Sequence, residues 1–158
     1  MATIGSFTSG SVLTASELNN AIPLCILENT SQSVPSGVNT AVTFATEVLD
    51  PLNWHSTSTN NTRITPNIAG FYLVTMQMND VNGAGQTRAA LSLTKNGAEI
   101  TGVRVRMDTT GEDDDFALAG YVQCNGTTDY LEMNVLQNNS GGASRTTTAR
   151  FTVQFVHP

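Results

Sequence analysis

Few residues in this chain have the types and spacings that do chemistry. His55 and His157 are its two histidines and so its only imidazole bases. His157 is the penultimate residue and reads as a surface tail. His55 follows Trp54, the single tryptophan, in a stretch rich in Ser, Thr and Asn that runs on to Arg63. A lone indole there is expected to anchor packing with its N–H on a partner, and the imidazole to hydrogen-bond across the loop. Trp54, His55 and Arg63 are therefore expected to be structural. The two cysteines, Cys25 and Cys124, are too few for a disulfide framework. They read as buried thiols in strands, and their spacing fixes no pairing. Neither G-x-S-x-G nor H-E-x-x-H occurs. Gly83-Ala84-Gly85 begins like a dinucleotide loop, but no helical pattern follows to receive a pyrophosphate. No enzyme and no cofactor is expected.

The sharpest charge feature is Glu112-Asp113-Asp114-Asp115. Adjacent carboxylates repel, and water, calcium or an arginine patch on a partner could each relieve them. Calcium needs about six to eight oxygens, and the run lacks the spacing of an EF-hand loop. Glu112, Asp113, Asp114 and Asp115 are thus the only metal candidates, beside the readings of a solvated loop and of a contact with a basic partner.

Charge narrows the partners. The net charge is −6, and the cations are Lys95 and six arginines. A phosphate backbone needs several clustered cations, so nucleic acid is not an expected partner; the acidity suits solubility or docking on a basic surface. No apolar run is long enough to span a membrane. Met1 to Phe7 has neither the basic nor the apolar region of a signal peptide, so the expected site of synthesis is a cytoplasm. Sequons begin at Asn29, Asn60, Asn125 and Asn138, and without a secretory signal they read as products of Asn, Thr and Ser richness.

The elements that must position these residues are strands. The chain holds 23 Thr, 15 Asn and 13 Gly; Thr is stiff at χ1 and favours strands, while Asn and Gly supply the turns. Apolar and alternating runs are expected as strands at Leu24–Leu27, Thr40–Phe44, Glu47–Leu49, Phe71–Asn79, Arg88–Lys95, Gly102–Asp108, Phe116–Cys124, Asp129–Gln137 and Thr148–His157. Val103, Val105 and Met107 are expected on one face and Arg104, Arg106 and Asp108 on the other. Asn96-Gly97 is the strongest hairpin signal, and Asn125-Gly126 divides the next pair. Loops are expected at 79–86, 109–115 and 138–146. Turn signals this closely spaced indicate a β-sandwich or barrel, and 158 residues fit one such domain.

The beginning differs. Thr14-Ala15-Ser16-Glu17 is a capping box, and Leu13 and Leu18 stand at the positions of a hydrophobic staple. A short helix is expected over about 15–21, stopped by Pro23. So short a helix is unstable alone in water, so residues 1–22 are expected to be an anchoring arm and 23–158 the domain.

Val42-Thr43-Phe44, Asp50, Trp54-His55-Ser56, Arg63-Ile64-Thr65 and Gly70-Phe71-Tyr72-Leu73-Val74, in that order, resemble the first half of a C1q/TNF-like domain. Leu93-Thr94-Lys95-Asn96-Gly97 is similar to the family's downstream hairpin. The resemblance covers about 23–158 and implies a jelly roll of about ten strands that assembles as a homotrimer around a three-fold axis. The acidic loop and low aromatic content depart from animal members. Separately, Gly10-Ser11-Val12-Leu13-Thr14-Ala15-Ser16-Glu17-Leu18-Asn19 is similar to segments that open bacteriophage tail-fibre and virion structural modules. Together these imply a trimeric virion protein that decorates or cements the capsid, with the major capsid protein or another virion protein as partner. A tail-fibre or receptor-binding module touching host glycans is the alternative. No fibre shaft precedes the domain in this sequence, which favours a protein fixed close to a surface.

Overall fold

The computed structural model describes residues 23–81, 85–108 and 115–158. They form β1 (Leu24–Val34), β2 (Thr40–Ala41), β3 (Thr46–Leu49), β4 (Arg63–Ile64), β5 (Ala69–Val81), β6 (Gln86–Lys95), β7 (Ala98–Met107), β8 (Asp115–Asn125), β9 (Leu131–Asn139) and β10 (Arg145–His157). One sheet has the order β3-β1-β10-β5-β8; the other runs β2-β9-β6-β7, with β4 also pairing with β9. Every named strand pair is antiparallel. The expected all-β jelly roll of about ten strands is what the described residues form.

Alternation builds the core between the sheets. In β5 the inward set is Tyr72, Val74, Met76 and Met78; in β10 it is Ala149, Phe151 and Val153. Ala89, Leu91 and Leu93 of β6 and Leu131, Met133 and Val135 of β9 meet them from the other sheet. Val42 and Phe44 are expected in a strand with Thr40, yet the strand ends at Ala41, with Val42 N still donating to Met133 O at 2.9 Å. Both side chains are still fully buried, and the Phe44 ring stacks on Phe151 at 5.8 Å. Burying each such side chain is worth about 1.5–3 kcal/mol.

Turn chemistry sets the register. Asn96 and Gly97 take φ of 54° and 79°, the left-handed pair that a two-residue hairpin requires. Gly126 has φ 72°, and a Cβ there would strike the backbone of Ile68 and Ala69. The following turn is pinned, because Asn125 Oδ1 accepts from the backbone N–H groups of Thr127, Thr128 and Asp129 at 2.9–3.1 Å. Asp129 is thereby held in the turn, and β9 starts at Leu131 instead of the expected Asp129.

Other expectations shift for the same reason, that pairing extends strands beyond their apolar centres. The 138–146 loop shrinks, since β9 runs to Asn139 and β10 restarts at Arg145; Asn139 Oδ1 accepts from Gly141 N at 2.8 Å to close the turn. Asn79 pairs with both Thr148 and Asp115, so the 79–86 loop is shorter too. Met107, expected on one face with Val103 and Val105, is exposed at the end of β7 while Val103 is buried. The arm with its helix, and the residues Leu13, Thr14, Glu17 and Leu18, lie outside the described residues.

Candidate assembly face

The inward set of the first sheet leaves an outward set, and its order is not random. Register aligns Leu24, Gln154, Leu73 and Tyr121 as one row across β1, β10, β5 and β8. The next row is Leu49, Ile26, Thr152, Thr75 and Ala119, beginning on β3. Then come Glu28, Arg150, Gln77 and Ala117, and beyond them Thr148, Asn79 and Asp115. The face therefore grades from apolar at one end to polar at the other. At the apolar end Tyr121 is 66% exposed and Phe71 43%, with Leu49 and Val156 also open. At the polar end Arg150 Nη1 meets Glu28 Oε1 at 2.8 Å. Glu28, Gln77, Asn79, Thr148 and Arg150 line a groove there.

The residues singled out from the sequence sit elsewhere. Trp54 is 2% exposed, its indole N–H donates to Asn67 Oδ1 at 2.8 Å, and its ring meets Tyr72 edge-on. The backbone N–H groups of Trp54 and His55 donate to the two Asp50 carboxylate oxygens at 3.0 and 2.8 Å. The His55 ring lies between the carbonyls of Arg63 and Phe44. Arg63 pairs with Glu132 at 3.2 Å, with its guanidinium 3.9 Å above the Tyr130 ring. The structure thus brings Trp54, His55 and Arg63 together, as packing with satisfied hydrogen bonds.

Cys25 and Cys124 are free and buried, in β1 and β8. Burial, with the negative charges of Asp50 and Glu47, pushes the Cys25 thiol far above its ordinary range. Burial pushes Cys124 up to about 11. Neither thiol is a nucleophile at neutral pH, because the thiolate is the reactive form. Burial alone would raise the Asp129 carboxyl, but hydrogen bonds from Lys95, Asn96 and the Asn125 backbone, with the Lys95 charge, hold it below the usual range. The Lys95 ammonium lies 2.8 Å from it. Asp115 begins β8 and accepts from Asn79 at 2.7 Å. Glu112, Asp113 and Asp114 lie outside the described residues. Among the described residues no three His, Cys, Asp or Glu side chains cluster as metal ligands, and no helix is long and apolar enough to cross a membrane.

Sequence reasoning missed the outer row. Its one local signal was Phe71-Tyr72-Leu73-Val74, apolar on both faces of β5 where a one-sided strand would alternate.

Solved structures share this architecture. The crystal structure of murine APRIL at pH 5.0 superposes with a TM-score of 0.54 at 12% identity, covering 84% of this chain and 99% of that one. Eiger TNF from S. frugiperda gives 0.51 at 14% identity, covering 87% and 94%. The fold is the TNF-like jelly roll. At such identities the likeness concerns the fold alone. No family model matches the sequence, and no curated protein matches it.

Proposed function

We propose that this chain is a non-enzymatic structural module that self-associates as a homotrimer through the outer face of its first sheet and decorates or cements a phage capsid. The observation that carries the trimer is the apolar end of that face, where Leu73 and Tyr121 are paired neighbours, Phe71 is exposed beside them and Leu24 lies across Gln154. Contiguous large apolar side chains on an open sheet face mark interaction sites. The occupant proposed is a second copy of the chain, which the C1q/TNF-like resemblance implies. Such a contact is expected to bury about 1,600 Å² in total, with Tyr121 and Phe71 as aromatic anchors and the Glu28–Arg150 end as the wetter rim.

The virion half of the proposal rests on the arm. Residues 10–19 are similar to segments opening phage virion modules, and the acidic chain suits docking on a basic shell surface. In this reading residues 1–22 hold the protein to the major capsid protein or another virion protein, and residues 23–158 form the trimeric head. The protein is made in the host cytoplasm and resides in the virion. Deleting residues 1–21 tests this directly: the truncated chain should remain a folded trimer and lose binding to particles, and unchanged binding would contradict it. Copy number per particle separates capsid from tail, a decoration protein being far more abundant than a tail-tip adhesin.

A further inference from the structure

The outer face of the second sheet has an order of its own. β7 is an edge strand there, and register sets Arg106 beside Ala90 and Leu136, and Arg104 beside Ser92 and Asn134. Arg88 faces the same way from β6, opposite Asn138. Leu91 and Val105, the alternate pair, turn to the core, so these arginines point outward. Three of the six arginines thus stand together on one face of a chain whose net charge is −6. On β6, Ala90, Ser92 and Thr94 also face outward and are still nearly fully buried, because the longer side chains of β7 and β9 flank them. The face is therefore flat, and a flat face fits a macromolecular surface better than a small molecule, which needs a concave site.

The guanidinium groups are loosely held. Arg88 Nε and Arg106 Nη2 lie 3.6 and 3.8 Å from the same Asp108 oxygen, beyond hydrogen-bond length. Arg88 Nε makes no hydrogen bond among the described residues, and the Asp108 side chain is 79% exposed. Arg104 meets Glu99 at 3.3 Å in an equally open pair. Exposed pairs of this kind hold their partners weakly and exchange readily. Each guanidinium carries five N–H donors in a planar fork that matches carboxylates, and these contacts occupy few of them.

The chain carries its own complement in Glu112-Asp113-Asp114-Asp115. Asp115, the described end of that run, is exposed and stands with Asn79 and Thr148 on the outer face of the first sheet. The acidic end and the arginine face therefore look to opposite sides of the sandwich. That is the arrangement of a head-to-tail contact between copies, in which two different surfaces meet. We propose that the face of Arg88, Arg104 and Arg106 receives the 112–115 run of a second copy, whose carboxylates compete with Asp108 and Glu99 for the guanidinium forks. This contact lies on the other sheet from the apolar row and does not depend on the trimer. Repeated from copy to copy, it joins assemblies side by side.

Charge reversal on the full chain tests it by sedimentation velocity. At about 0.15 M ionic strength the screening length of about 8 Å damps whole-molecule repulsion and leaves close contacts, whereas at about 1 M it is about 3 Å. The wild type should form species at the lower salt that are larger than its unit at the higher salt. The number of chains in that high-salt unit tests the trimer separately. Arg104→Glu with Arg106→Glu, and in a second variant Asp113→Arg with Asp114→Arg, should each weaken the association at least about tenfold, because like charges then meet. Mixing the two variants should restore it, since each supplies the surface the other lacks. A wild type of the same size at both salts overturns the proposal. So does association that survives unchanged in either variant or is not regained in the mixture. The 113–114 variant alone still decides the matter if the strand variant fails to fold.

Discussion

The Trp54–Arg63 segment and the outer face of the first sheet both carry large aromatic side chains, which end in opposite states. In the segment, the indole N–H has Asn67, the Asp50 oxygens have two backbone N–H groups, and the Arg63 guanidinium has a carboxylate and a ring. Its requirements are met within one chain. On the outer face, Tyr121, Phe71 and Leu49 are exposed and Leu24 and Leu73 only half-buried by the described residues. Conspicuous residues in a sequence can thus be finished structure, and plain ones can be the part left open for a partner.

Three variants sharpen or break that contrast. The largest effect is expected from Leu73→Asp with Tyr121→Glu, which places carboxylates in the apolar row. The variant should fold, since both side chains point away from the core, and should run as single chains; an unchanged assembly would remove the row from the interface. Next is Trp54→Ala, expected to cost about 3–5 kcal/mol of stability in chemical denaturation because it empties a buried site against Tyr72. A loss near zero would mean the segment is not closed as described. Smallest is Arg63→Ala, whose partly exposed ion pair and contact over Tyr130 should together be worth about 1 kcal/mol. A much larger loss would show Arg63 to be a hinge of the segment.

The fold was legible wherever its cause was local. Asn96-Gly97 announces a turn because left-handed backbone favours those residues, and the structure puts both there. The alternation of β10 announces Phe151 and Val153 as core, and the strand-like surroundings of Cys25 and Cys124 announce buried thiols. What escaped was non-local. Leu24, Gln154, Leu73 and Tyr121 come from four strands, and only register sets them in one row. Asp129 looked like the start of a strand because nothing near it shows that Lys95 and Asn96 hold it in a turn. Phe44 is buried without a strand, since stacking on Phe151 needs burial and no ladder.

The mass of the folded wild-type chain in dilute solution, by light scattering or sedimentation equilibrium, tests the central claim most directly. The account predicts three times the 16.8 kDa of one chain, collapsing to a single chain when Leu73 and Tyr121 carry charge. A wild-type protein that holds the mass of one chain at concentrations well above those of stable assemblies would contradict it.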